Sequence, residues 1–98
     1  MAEVLSGADV DAALVDRKLG WEREDDVLVK VVRRRDFRGA LAFVNQVGDL
    51  ADAADHHPDV DIRWNTVTLR LSTHSAGGLT AKDLDLASAI DGLGTGSS

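Results

Sequence analysis

Ninety-eight residues, 44% of them hydrophobic, make one small domain with no room for a second core. The absence of cysteine excludes disulfides and thiolate metal sites, and a formal charge of −6 argues against a nucleic-acid-binding surface, which is normally basic. No run approaches the roughly 18 consecutive apolar residues of a membrane span, and Met1-Ala2-Glu3-Val4 lacks the basic start of a secretory signal, so a cytoplasmic protein with neither membrane nor nucleic-acid partners is expected.

From the N-terminus, Leu5-Ser6-Gly7-Ala8-Asp9-Val10 reads as a helix start. Ser6 is a good N-cap, Asp9 falls at the third helical position, and Leu5 and Val10 have the spacing of a hydrophobic staple. Val10, Ala13 and Leu14 share a face, and Gly20 offers the stop. Trp21-Glu22-Arg23-Glu24 and Val27 to Arg33 flank Asp25-Asp26 as the arms of a hairpin, the second arm rich in β-branched residues. Lys30, Arg33-Arg34-Arg35 and Arg38 form a local basic stretch in an acidic chain. It is either a solvated strand end or a patch for an anion or a docking partner. Asp36 can cap a long helix reaching to about Asp55, in which Phe37, Ala40, Leu41, Val44, Val47, Ala51 and Ala54 form one apolar stripe. A second stripe, through Phe43, Val47, Leu50 and Ala54, either broadens the core face or meets another subunit.

After Pro58 the period changes to two, through Ile62 and Trp64 and then Val67, Leu69 and Leu71. The parity slip between Trp64 and Val67 predicts a tight turn or bulge near Asn65-Thr66, and hence two strands. Gly77-Gly78 breaks the second strand. Thr80 then caps a last helix, with Asp83 at its third position, a Leu79–Leu84 staple, and Ala87 and Ile90 continuing the apolar face. Residues 92–98 read as a flexible tail behind a single domain over 1–91. The order α-β-β-α-β-β-α predicts an α+β fold, a four-stranded antiparallel sheet with three helices packed on one face.

Every histidine lies in one of two places: His56-His57 before the only proline, and His74 after Ser72-Thr73. Free imidazole, with a pKa of about 6.5, exchanges protons readily near neutral pH, so chemistry is expected here. Pro58 holds His57 in extended backbone. Adjacent residues there point opposite ways, so one ring can face a cavity while the other orients the loop. If the last strand runs regularly to Thr73, His74 shares the outward parity of Arg70 and Ser72. Three uses fit such a cluster. The rings can cap and pack at element ends. They can bind a metal, although two adjacent ligands on extended backbone aim poorly at one tetrahedral centre. They can carry out metal-free general acid–base catalysis, the reading adopted. Asp52, one helical turn before His56, and Asp55 beside it are the carboxylates nearest in sequence, each also explicable as helix-end solvation. Asp83 has an ordinary account as a capping residue, and Trp64 is either core or a ligand platform. No P-loop, dinucleotide-binding glycine pattern or nucleophile elbow occurs.

Asp55-His56-His57-Pro58-Asp59, Trp64-Asn65 with Val67, Leu71-Ser72-Thr73-His74, and Gly78-Leu79-Thr80 with Asp83 and Leu84 resemble the pterin-4a-carbinolamine dehydratases. Gly20-Trp21, Asp36-Phe37 and Ala42-Phe43 extend the similarity over residues 5–91. The resemblance implies removal of water from 4a-hydroxytetrahydrobiopterin, or a related pterin, to give the quinonoid dihydropterin. That step recycles a pterin cofactor after aromatic amino-acid hydroxylation, which suggests a functional link to such a hydroxylase. No metal or organic cofactor is implied. His56, His57 and His74 take the catalytic roles, with His56 and His74 as the proton-transfer pair. Asp52, Asp55, Pro58, Trp64, Ser72, Thr73 and Asp83 are expected to contact the substrate. A homodimer through sheet edges, or a tetramer through the long helix, is also implied. Two departures stand out: Asp52 where many relatives carry Glu, and Val60 where many carry Trp. Both bear on substrate affinity more than on the reaction. A rival reading is a non-catalytic dimerisation or assembly module on the same fold, against which the intact histidine set argues.

Overall fold

Ser6, Asp36 and Thr80 each stand in extended backbone immediately before a helix, and each side chain accepts from an N–H of the first turn. The donors are Asp9 N at 3.1 Å, Gly39 N at 2.8 Å and Lys82 N at 3.2 Å. Such caps satisfy N–H groups that have no partner inside the helix. They set the starts of α1 (Gly7–Asp16), α2 (Phe37–Ala54) and α3 (Ala81–Asp91) in the computed structural model, which describes residues 3–93. The ends of α1 and α2 share one device. Lys18 and Asp55 adopt left-handed backbone, with φ of 56° and 51°. Leu19 N–H therefore returns to Leu14 O at 2.9 Å, and His56 N–H to Ala51 O at 3.1 Å, closing the last turn. The stop expected at Gly20 is made two residues earlier, by a lysine.

Four strands, β1 (Glu22–Glu24), β2 (Val27–Arg33), β3 (Asp59–Arg63) and β4 (Thr66–Leu71), form one antiparallel sheet in the order β1-β2-β4-β3. The α+β architecture is the one the element order predicts. Two-residue turns join each hairpin, Asp25-Asp26 in one and Trp64-Asn65 in the other. The predicted break near Asn65-Thr66 thus falls one residue earlier. Trp64 opens its turn with φ 55° and is 66% exposed, so it belongs to no core.

Leu28, Val32, Val67, Leu69 and Leu71 line the sheet face that packs against the helices. Val10 of α1, Ala40, Phe43 and Val47 of α2, and Leu84, Leu86, Ala87 and Ile90 of α3 complete the same buried cluster. Phe43 of the second stripe is part of this core, while Phe37 of the first stripe is exposed. The second stripe therefore broadens the core face, with Leu50 packed only partly against it. β4 stops at Leu71, short of the expected Thr73. A Thr73–Gly78 bridge then closes over a single 3-10 turn, His74–Ala76, with Gly77 in left-handed backbone at φ 79°. At the other end of the chain Gly92 caps α3 and Leu93 packs partly against the core. The remainder of the expected tail, residues 94–98, lies outside the described residues.

Candidate active site

The end of α2, the loop after β4 and the start of α3 meet at one side chain. Asp83 is fully buried, and a carboxylate in that position is tolerable only with donors around it. Its Oδ2 accepts from Thr73 Oγ1 at 2.8 Å and from Thr80 N at 3.0 Å, and its Oδ1 lies 2.5 Å from His56 Nε2. Thr73 has one hydroxyl proton, and Asp83 takes it. The 2.8 Å contact between Thr73 Oγ1 and Thr80 Oγ1 is then made by the Thr80 hydroxyl donating. Thr80 Oγ1 accepts in turn from Lys82 N. Thr80 and Asp83 also form a reciprocal capping box. Asp83 therefore caps α3 and holds the His56 ring at once, while its fully buried side chain stands where a direct substrate contact was expected.

An ionised carboxylate only accepts, so Asp83 draws the proton of the neutral ring to Nε2 and leaves Nδ1 as the free nitrogen of His56. The ring is mostly buried. His57 is different: its Nε2 lies 2.9 Å from Asp52 Oδ1, and both side chains are more than half exposed. The i, i+4 spacing had pointed Asp52 at His56. The left-handed turn at Asp55 ends the helical period before His56 is reached, so the pairing shifts by one residue. Asp55 itself is exposed at that turn, and Pro58 is partly buried ahead of β3.

His74 directly follows the buried Thr73, so its segment joins the His56 segment through the Thr73–Asp83–His56 chain. It lies in the 3-10 turn rather than on strand parity and is exposed; its carbonyl accepts from Gly77 N–H at 3.1 Å, while its ring makes no hydrogen bond or ion pair among the described residues. Ser72 is half buried beside Thr73. Trp64 is not brought to this end of the molecule. It follows β3 at the end away from Pro58, about 17 Å along five residues at roughly 3.3 Å each.

A groove of about 350 Å³ opens between the C-terminal half of α2 and α3, within the usual range for small-molecule sites. Leu50, Ala53, Ala54 and Leu86 give it apolar walls, with His56, Lys82 and Asp85 as its polar groups. Lys82, Asp85, Leu86 and Ala89 were not among the expected site residues. The signal available was their spacing, which places them on one face of α3. No set of three His, Cys, Asp or Glu side chains among the described residues is grouped to hold a metal ion.

The family model for pterin 4 alpha carbinolamine dehydratase matches residues 3–93. The chain belongs to this family. Relatives carrying pterin-4-alpha-carbinolamine dehydratase names include one from Roseiflexus castenholzii, 52% identical over 93% of this chain and 97% of its own. Another, from Thermosynechococcus vestitus, is 48% identical over 95% and 97%. Among solved structures, a transcriptional coactivator/pterin dehydratase from Brucella melitensis superposes with a TM-score of 0.85 at 29% identity, covering 96% of this chain and all of that one. A pterin dehydratase-like RuBisCO assembly factor of the alpha-carboxysome shares the fold, with a TM-score of 0.61 at 20% identity over 82% of this chain and 92% of that one. Within this pterin-4a-carbinolamine dehydratase family member, the Asp55-to-Asp59 stretch, the segment around Thr73 and the Thr80–Asp83 box come from three separate parts of the chain. Hydrogen bonds between side chains link all three.

Proposed function

We propose that the protein is a 4a-hydroxytetrahydropterin dehydratase that works by histidine acid–base catalysis, with the groove between α2 and α3 as the place where the bicyclic substrate sits. The observation that carries this reading is the His56–Asp83 pair at the groove, backed by two threonine hydroxyls. Dehydrating a carbinolamine requires a proton delivered to the departing hydroxyl and another removed from the ring nitrogen. No electron is transferred, so residues that hold and move protons suffice. His56, held by Asp83 through Nε2 and lining the groove, is suited to one transfer. His74, exposed and with a ring that has no partner among the described residues, is suited to the other. His57 and Asp52 form an exposed pair that orients the loop or meets a polar edge of the substrate. The physiological role proposed is pterin recycling beside a hydroxylase.

The test is direct. Purified protein is mixed with chemically generated 4a-hydroxytetrahydrobiopterin, and formation of the quinonoid product is followed. General acid–base assistance is worth about 10²–10⁴-fold, so His56→Ala is expected to lose turnover on that scale, and His74→Ala to fall alongside it. Near wild-type rates in both variants defeat the assignment. An inactive parent protein returns the non-catalytic assembly reading.

We further propose a homodimer. β2 pairs with β1 only over Val27–Val29, so Lys30–Arg33 present an open backbone edge on that side among the described residues, and Val31 on this stretch is 61% exposed. An open edge of this kind is a template for another strand.

A further inference from the structure

The histidine site leaves two features unused, the basic run and Trp64. The other tryptophan, Trp21, is 5% exposed and donates its indole N–H to Asp91 at 3.0 Å. Trp64 does neither. Its left-handed backbone disfavours a bulky residue, and its exposed ring contributes nothing to the core. The turn alone would select Asn or Gly. A large aromatic side chain strained at a surface points to use at that surface.

Its surroundings are cationic. Arg33 and Arg63 flank Thr66 in one row of the sheet, on the face turned away from the helices, about 10 Å apart by two strand spacings. Arg34 N–H donates to Asn65 O at 2.8 Å, and Asn65 Nδ2 donates to Arg34 O at 2.9 Å. These bonds tie the basic run to the Trp64-Asn65 turn. Exposed Phe37 and Arg38 open α2 directly after the run. The carboxylates here have local roles: Asp36 caps α2, and Asp61 pairs with Arg63 at 3.2 Å. Residues 33–38 hold four cations and one carboxylate, against seven and sixteen in the rest of the chain, a net −9. Lys30 is not part of the patch, since it lies on the helix-facing side and pairs with Asp91 at 3.0 Å, and the Arg34 guanidinium stacks over Phe43.

We propose that this end of the sheet, centred on Trp64, Arg33 and Arg63, is a docking surface for a short acidic segment of a partner protein that carries an apolar side chain. Tryptophan and arginine are the residues most enriched among binding hot spots, and complementary charge sets partner choice. A nucleic acid fits less well. With a phosphate charge every 1.7 Å or so, it would run beyond the patch onto acidic surface within a Debye length of about 8–10 Å. A second copy using the same surface under two-fold symmetry would set arginine against arginine. The length of β4, about 20 Å, separates the patch from the histidines, so docking leaves the groove open. An edge-to-edge dimer through β2 uses main-chain groups and leaves these side chains on the open face.

Trp64 is its own reporter, because Trp21 is buried. The full chain is titrated with a synthetic decapeptide of Glu and Asp with a central Leu, following tryptophan emission. A saturable change is expected, weakened at least about tenfold at about 1 M salt, where the Debye length is about 3 Å. The R33E/R63E double variant should weaken it equally, and Arg17→Gln on α1 should not, with melting curves confirming that both variants fold. Any one of four results overturns the proposal: no saturable change at millimolar peptide; an unaltered response in the double variant; tighter binding of a ten-nucleotide oligothymidylate than of the peptide; or self-association abolished by the same double variant. None of these readouts involves pterin turnover, so the proposal stands or falls apart from the dehydratase reading.

Discussion

Asp83 is where helix capping and the proposed catalysis are hardest to separate. Removing the Thr73 hydroxyl leaves its buried carboxylate a donor short, and an underpaired buried polar group costs about 1–3 kcal/mol. Thr73→Val is expected to lower unfolding free energy by that amount in urea titration and to lower turnover, while Thr73→Ser restores both. That Asp83 caps a helix was legible from the Thr80-Ala81-Lys82-Asp83 pattern. Its bond to His56 was not, because the partners are 27 residues apart and spacing speaks only of neighbours. Asp52 shows the converse error: correct helical spacing named the wrong histidine, since one left-handed residue intervened. At Trp64 the expectation concerns strain. A non-glycine residue in left-handed backbone costs about 1–2 kcal/mol, so Trp64→Gly should stabilise the fold by about 1 kcal/mol, read as a higher denaturation midpoint, while the acidic peptide ceases to bind.

At the level of helices and strands, caps and hairpins could be read because their residues interact within a few positions. Ser6, Asp36 and Thr80 all cap as expected. The ends were harder. Nothing about Lys18 advertises left-handed backbone, and β4 stops early because Thr73 turns inward to Asp83, a tertiary demand invisible in the alternation of Val67, Leu69 and Leu71. Asp55, in the left-handed position that ends α2, gives a clean experiment. Glycine is preferred there, so Asp55→Gly should raise the melting temperature by an amount equivalent to about 1 kcal/mol. If Asp55 also contacts substrate, KM rises in the same variant. The join between α1 and β1 has a pH signature. The side-chain bond from Arg23 holds the Asp11 carboxyl below its ordinary 3.8. Its contribution is therefore complete above that value and fades as pH falls through the lowered one. Acid titration of stability in Asp11→Asn should lack this limb, a small effect for an exposed pair.

For the molecule as a whole, the α+β architecture followed from element order, whereas the groove did not, since it exists only where α2 and α3 lie side by side. The open backbone of β2 carries an expectation at this scale. A dimer should appear by solution mass at about 21 kDa, twice the 10.5 kDa chain, and Val31→Lys should shift it toward the single chain. The last consequence belongs to the first turn of α3. One carboxylate both starts that turn and steers an imidazole, so a helix that frays there takes the proposed proton shuttle with it. Warming should silence turnover several degrees before bulk unfolding, and amide exchange at Lys82 and Asp83 should quicken over the same interval.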